Sequence, residues 1–399
     1  MYKRQAAATA VGLGVLEAGA RVVVNARPPG RSGEQAAYTL FDPVLGWRNR
    51  PGTSVTYNRL EYRTLVEINS LGFRDVERQA KKQPGTHRVL VMGDSFIEGY
   101  SVERDKGITR RAEERAIRAG CPAEVVNAGV HGYSISQEYL WYRLEGRTLG
   151  ADVVVMAIYY NDIIQTVRPR YWGSPTPVLE FRDGELKPVN TPLDAPPPSA
   201  PVVPQKRRVE GSALKFLLLE RLITGAPRLY AQLARTGLVA PYEPETVPDE
   251  LRVFRSRGQL DEVRAAWART REILHAFADD VRAEGAVPVI AYVPASFEVV
   301  DEAWDLTLMT HGLKAEVWDR SLVSKRLREM SQESRSPFLD FTDDLRASAG
   351  RWGGEPYFRR DGHWNDLGND IAAQTLVAFL RDNRLLPCSG PRNSTTPPN

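Results

Sequence analysis

Between Arg88 and Leu380 the hydrophobic pattern alternates between two periods. Short apolar runs, at Arg88–Met92, Val125–Asn127, Asp152–Tyr159, Val287–Val293 and Phe338–Phe341, punctuate longer stretches whose apolar residues recur every three or four positions. A run with hardly a polar position, such as Asp-Val-Val-Val-Met-Ala-Ile-Tyr at 152–159, predicts a strand covered on both faces. The helical stretches are Ile108–Ala119, closed by Gly120, then Ser136–Leu149, and one carrying Leu260, Val263, Trp267, Leu274, Phe277 and Val281 up to Gly285. Val317–Met330 follows, and then a last helix capped by Asn365, with Ile371, Leu376, Phe379 and Leu380 on its apolar face. Strands alternating with helices predict an α/β domain built on a parallel sheet with helices on both faces.

Two segments break this rhythm. Residues 38–86 have no helical period; Val55–Tyr57 and Thr64–Ile68 read as short strands around Asn58-Arg59-Leu60-Glu61, a β-rich preamble that ends at the turn Lys81-Lys82-Gln83-Pro84-Gly85. Residues 163–256 hold the proline-rich stretch Pro188–Pro204 and a helical stretch, Ser212–Thr236, interrupted near Gly225-Ala226-Pro227. They read as a cap-like insertion, whose Phe216-Leu217-Leu218-Leu219 run packs on the domain or meets lipid or substrate. The expected organisation is a signal or anchor segment with linker at 1–37, the preamble at 38–86, the main domain at 87–385 with its insertion at 163–256, and a disordered tail at 386–399.

At the N-terminus, Met1-Tyr2-Lys3-Arg4 precedes an apolar run from Ala6 to Leu16 that Glu17 interrupts. The run is shorter than the about 20 residues that span a bilayer. A basic start, an apolar run and Ala18-Gly19-Ala20 read as an export signal; a helix packed on the body, or part of a longer anchor, reads equally from the same residues. The expected location is exported or membrane-anchored and facing the periplasm or exterior, with membrane association through the N-terminus, and cytoplasmic otherwise. The net charge of +3 on 399 residues, with both signs interspersed, leaves no basic block for nucleic acid. Two cysteines make neither a zinc site nor a disulfide framework. Cys121 precedes a strand and Cys388 follows the last helix, which in a doubly wound sheet puts both at the end away from the site, so a bridge in an oxidising compartment and two separate thiols both stay open.

Four islands carry candidate chemistry: Gly93-Asp94-Ser95-Phe96, Asn127-Ala128-Gly129, Tyr160-Asn161-Asp162 and Asp361-Gly362-His363. The first three sit at the carboxyl ends of strands, where open α/β sheets bind ligands. A serine hydroxyl needs a base, and the base needs an orienting group. Of the histidines at 87, 131, 275, 311 and 363, His275 lies on an amphipathic helix, and His363 follows an acid, Asp361, at two-residue spacing and precedes a helix, so His363 is the candidate base for Ser95. His131 competes from two residues beyond Gly129 and is expected to line the pocket. The backbone N–H groups of Ser95 and Gly129 and the amide of Asn161 are candidate oxyanion donors, with Asp94 and Asp162 orienting loops. Tyr160, Tyr171 and Trp172, with Tyr159, Arg168 and Arg170, are candidate contacts for a sugar, or structural residues of the cap.

The order of these islands resembles the SGNH, or GDSL-type, hydrolases, over roughly Arg88–Ile163 and Val287–Leu385. The resemblance implies a flavodoxin-like three-layer α/β/α fold with a five-stranded parallel sheet, a Ser95–His363–Asp361 triad, an oxyanion hole of Ser95, Gly129 and Asn161, and no metal or organic cofactor. Phe96 stands where the family name has Leu, and Asp361-Gly362-His363 is one residue shorter than the common Asp-x-x-His block. That shorter block, with Leu45-Gly46-Trp47-Arg48 and Asn69-Ser70-Leu71-Gly72-Phe73-Arg74, is similar to the alginate acetyltransferase-like branch. The implied activity is hydrolysis of a short acyl ester, such as acetyl, on a carbohydrate or similar alcohol. O-acyl transfer by the same residues, or binding without catalysis, are the alternatives.

Overall fold

The structure of the chain, a computed structural model, describes residues 2–25, 34–195, 212–226, 229–230, 232–233, 236–239, 247–349 and 355–388. The tail from 389 and the proline-rich stretch from 196 onward lie outside the described residues.

An N-terminal helix, α1 (Tyr2–Asn25), and a short α2 (Glu34–Tyr38) precede two antiparallel hairpins, β1 (Thr39–Asp42) with β2 (Gly46–Asn49), and β3 (Ser54–Asn58) with β4 (Arg63–Glu67). The main sheet begins with β5 (Arg88–Gly93), followed by α3 (Ser95–Glu98) and α4 (Ile108–Arg118). Then come β6 (Glu124–Gly129), α5 (Ile135–Leu144), β7 (Val153–Tyr159) and α6 (Tyr160–Gln165). Two small hairpins follow, β8 (Arg170–Tyr171) with β9 (Ser174–Pro175), and β10 (Leu179–Arg182) with β11 (Glu185–Pro188), and after them α7 (Ala213–Gly225). The sheet is completed by β12 (Val287–Val293) and β13 (Phe338–Asp340).

The five main strands are all parallel, in the order β13-β12-β7-β5-β6. Their side chains alternate between two cores. Leu90, Met92, Val154, Met156, Ile158 and Ile290 face one, with α5 and the helices Asp261–Ala283 and Leu322–Glu333. Val89, Val91, Val153, Val155, Val289 and Ala291 face the other, with α4 and the helices Thr342–Ser348 and Asp366–Asp382. Each such Val, Leu, Ile or Met side chain, fully buried, contributes about 1.5–3 kcal/mol, so every strand stabilises both layers. This is the three-layer α/β/α arrangement that the alternation and the resemblance led us to expect.

The chain leaves β5 for β6 on one side, then crosses back to β7 on the other. The strand order therefore reverses at the carboxyl ends of β5 and β7, where a doubly wound sheet opens a crevice. Ser95 follows β5 and Asn161 follows β7, so two islands open onto this switch point.

The preamble hairpins pack against it. Tyr38, Tyr57, Tyr62, Val66 and Ile68 form a small core with Tyr100, which follows α3. The fully buried Arg74 donates to the carbonyls of Glu98, Gly99 and Val102, binding the preamble to the segment that carries the nucleophile island.

Some boundaries differ from the periodicity. The Val317–Met330 helix begins at Leu322, because the Asp319 carboxylate accepts the N–H and hydroxyl of Ser321 and turns the chain there. Ser136–Leu149 divides at Glu145 into α5 and a 3-10 turn. The apolar run at the N-terminus lies within α1, whose Ala20 packs on Ala213, Leu214, Phe216 and Leu217 of α7. Glu17 of α1 accepts the Ala213 and Leu214 N–H groups at the start of α7. Among the described residues no helix is long and apolar enough to cross a membrane. Cys121 and Cys388 are joined in a disulfide that ties the segment after α4 to the segment after the last helix.

Candidate active site

Asp94 ends the approach of β5 and caps α3: its carboxylate accepts the Phe96 N–H at 2.9 Å. The next residue, Ser95, is thereby held at the first position of a helical turn, where an N–H has no partner four residues back. Its hydroxyl lies 2.7 Å from His363 Nε2. His363 Nδ1 lies 2.6 Å from Asp361 Oδ1. With Nδ1–H held by the carboxylate, Nε2 is left as the acceptor for the serine proton. The imidazole is packed between Phe96 and Tyr100, at ring distances of 4.6 and 5.0 Å. Phe96, the departure from Gly-Asp-Ser-Leu, is thus a wall of the histidine's slot, and it also meets Trp364 edge-on.

Asp361 is anchored from the preamble. Tyr62 donates its hydroxyl to Asp361 Oδ2 at 2.9 Å, and Glu61 accepts the backbone N–H groups of Arg360 and Asp361 at 3.0 and 2.9 Å. Burial pushes the Asp361 carboxyl up, but the bonds from His363 and Tyr62 outweigh it and hold the group down at about 2. It is therefore a carboxylate at any ordinary pH. The backbone N–H of Phe358 reaches the His363 carbonyl at 2.9 Å, closing the short loop that places acid and base two residues apart.

These groups line a cleft of about 920 Å³. Ser95, His363 and Asp361 share it with Asn161, His131, Tyr159, Tyr160, Tyr171 and Trp172, so of the triad, the oxyanion candidates and the aromatic contacts all but Gly129 meet there, while Arg168 and Arg170 do not line it. Asn161 is the second residue of α6 and donates Nδ2–H to the Tyr171 hydroxyl at 3.1 Å, which leaves its second amide hydrogen uncommitted. Asp162 turns inward and accepts the Tyr159 N–H at 2.8 Å.

Gly129 is the exception. Its N–H donates to Asn127 Oδ1 at 2.9 Å, so the donor is used within the island. Its Cα is pressed against α3: a Cβ there would meet the Glu98 nitrogen at 2.3 Å. Gly129 is a packing glycine. Gly132, one turn further on and adjacent to pocket-lining His131, is the position with a φ of +74°. Among the described residues its N–H meets no protein acceptor, and a Cβ there would lie 3.4 to 3.6 Å from Tyr171, Trp47 and Trp172.

The other histidines are elsewhere: His87 bonds the Leu385 carbonyl, His275 faces Glu333, and His311 ends a helix. Arg168 is held by Asp249 and Glu262, away from any ligand role, and Arg170 bonds the Gly173 carbonyl. Periodicity gave no sign of Tyr57, Arg59, Glu61, Tyr62 and Tyr100, because the preamble that supplies the first four reads as a separate β-rich piece. Behind the nucleophile, Asp94, Glu138 and Asp162 are buried together, and desolvation raises all three carboxyls. Glu98, below His131, is pushed by burial up to about 7 despite the nearby Arg74.

Comparison with known proteins adds a family. Residues 253–398 match the family model described as SGNH hydrolase-like domain, acetyltransferase AlgX. A comparison with curated protein sequences gives no match. Similar solved structures include TesA, with 12% identity over 74% of this chain and 99% of that chain at a TM-score of 0.35. The acetyl xylan esterase AlAXEase shows 13% identity over 73% of this chain and 98% of that one, at a TM-score of 0.36. A lipase/acylhydrolase from Enterococcus faecalis shows 10% identity over 76% and 100% respectively, at 0.38. The matched region, residues 253–398, is similar to an SGNH hydrolase-like domain and holds both Asp361 and His363.

Proposed function

We infer that the protein is a serine-dependent ester hydrolase that removes a short acyl group, such as acetyl, from a carbohydrate or similar alcohol. The observation that carries this is the hydrogen-bonded relay Ser95–His363–Asp361, at 2.7 and 2.6 Å. His363 Nε2 takes the Ser95 proton as Oγ attacks the acyl carbonyl. The tetrahedral oxyanion is met by the Ser95 N–H, the second Nδ2–H of Asn161 and, in place of Gly129, the N–H of Gly132. Collapse breaks the ester bond: the alcohol leaves with the proton from His363, and the acyl group stays on Ser95. Water, deprotonated by His363, then attacks the acyl carbon, and the serine leaves with the proton.

The cleft lining supports the substrate class. It is built of tyrosines, Trp172, His131, Arg59 and acidic side chains, and among the described residues it includes no Leu, Ile, Val, Met or Phe. A long acyl chain needs an apolar slot; a sugar ring needs aromatic faces and hydrogen-bonding groups. The second reading, O-acyl transfer with a sugar hydroxyl in place of water, is favoured by the acetyltransferase family model. Both readings share the acyl-enzyme.

A small fluorophosphonate is expected to add once, on Ser95, and not to label Ser95→Ala. p-Nitrophenyl acetate is expected to turn over faster than the decanoate. Adding acceptor oligosaccharides and weighing the products separates the readings: acetylated oligosaccharide means transfer, free acetate alone means hydrolysis. A folded protein that neither labels nor turns over acetate would reverse both.

A further inference from the structure

Trp172 stands where the local backbone least favours it. The hairpin of β8 and β9 pairs Tyr171 with Ser174, leaving Trp172 and Gly173 as its two central residues. Both have positive φ, +47° and +83°. That is the type I′ pattern, which Asn, Asp and Gly fill with ease and a bulky side chain does not. Core packing does not account for the tryptophan, because the residue is 58% exposed. Its indole lies nearly parallel on Tyr171, with ring centres 4.1 Å apart and an interplanar angle of 22°. Tyr171 in turn accepts the amide hydrogen of Asn161. On the cleft side, rings step from Trp172 to His131 at 5.7 Å, to Tyr100 at 5.0 Å, and to His363 at 5.0 Å. A strained, exposed, flat aromatic surface is thus braced by the side chain that holds Asn161 and set at the rim of the cleft containing Ser95.

We propose that Trp172 is the platform on which a pyranose ring of the ester substrate stacks, fixing the acylated hydroxyl over Ser95. The inference rests on the carbohydrate reading above and adds the residue that selects the sugar. The axial C–H groups of a pyranose present an apolar face that matches an indole. Tyr171 behind the indole removes the entropy loss that a free side chain would incur on binding.

The test uses the full chain and two classes of probe: p-nitrophenyl acetate, which has no sugar, and the O-acetylated monosaccharides and trisaccharides of glucose, mannose and xylose. The variants are Trp172→Asn, which suits the turn, and Trp172→Phe, which keeps an aromatic face. For Trp172→Asn, the preference for the best sugar ester over p-nitrophenyl acetate, as the ratio of their kcat/KM values, is expected to fall roughly tenfold, carried by a higher sugar KM, with a melting temperature equal or higher. Trp172→Phe is expected to retain most of the affinity. Unchanged sugar KM in Trp172→Asn would overturn the proposal, as would an equal loss on both probe classes or a lowered melting temperature that accounts for the loss. Turnover of p-nitrophenyl acetate without action on any acetylated sugar would sink the carbohydrate reading itself, and the platform with it.

Discussion

The Asp361 carboxylate is bonded on both oxygens, to His363 through Oδ1 and to Tyr62 through Oδ2. A hydrogen bond to a charged acceptor is worth about 1.5–3 kcal/mol, and here it fixes the plane of the group that orients the base. Tyr62→Phe is expected to lower kcat by roughly tenfold on p-nitrophenyl acetate, with KM and the melting temperature nearly unchanged; a kcat equal to the original would deny Tyr62 a positioning role. Gly129, in the second island, and Gly132, three residues beyond it, separate in the same way. Gly129→Ala forces a methyl into the α3 backbone and is expected to abolish soluble folded protein. Gly132→Ala meets only side chains at 3.4 Å or more and is expected to fold, at about 1 kcal/mol less stability for its positive φ, while kcat falls. If Gly132→Ala kept full turnover, its N–H would not be an oxyanion donor. In the string Asn-Ala-Gly-Val-His-Gly the two glycines look alike by composition. The bond from the Gly129 N–H to Asn127 Oδ1, the close approach of Gly129 to α3 and the positive φ of Gly132 tell them apart, and no periodicity reveals any of these. Ser95, Asn161, Asp361 and His363 were legible as a constellation because each adjoins a strand end or helix start that hydrophobic pattern alone marks.

At the scale of elements, legibility follows burial. The long strands were readable because both faces are covered, which leaves runs of apolar residues such as Val153–Tyr159. The helix Thr342–Ser348 was not, because its seven residues offer too short a period and only Leu345 is buried. The preamble's link to the site was illegible for another reason: Tyr62 and Asp361 lie 299 residues apart, and a hydrogen bond at that separation leaves no local trace. The same holds for Cys121 and Cys388, 267 residues apart in sequence. A cross-link over so long a loop restricts the unfolded chain strongly, and its removal is expected to cost about 2–5 kcal/mol. The Cys121→Ser, Cys388→Ser double variant should therefore unfold at lower denaturant concentration while its kcat on p-nitrophenyl acetate stays the same, the bridge being remote from the cleft. Two free thiols in the denatured, unreduced protein would refute the bridge.

Across the whole molecule, buried carboxyls of opposite tendency set the dependence of stability on pH. Asp361 titrates at about 2 in the fold against an ordinary 3.8, so it stabilises the fold above about pH 4 and loses that contribution as the pH falls toward 2. Glu98 is reversed. Its ordinary value is 4.5, and in the fold burial raises it to about 7, so the fold holds its neutral form. It carries no penalty below pH 4.5; the penalty grows as pH rises and is complete above about 7, reaching about 3 kcal/mol. Glu298, raised by burial to about 8, acts in the same direction. Stability should therefore peak near pH 4–5 and decline through neutrality. Glu98→Gln removes one of these titrations while leaving an acceptor for Tyr38 or Asn49. Melting curves across pH 4 to 9 should show the variant no more stable than the original at pH 4.5, more stable at pH 8, and still declining because Glu298 remains. A difference between the two proteins that does not change with pH would mean that Glu98 stays charged in the fold, and that the nearby buried Arg74 outweighs its desolvation.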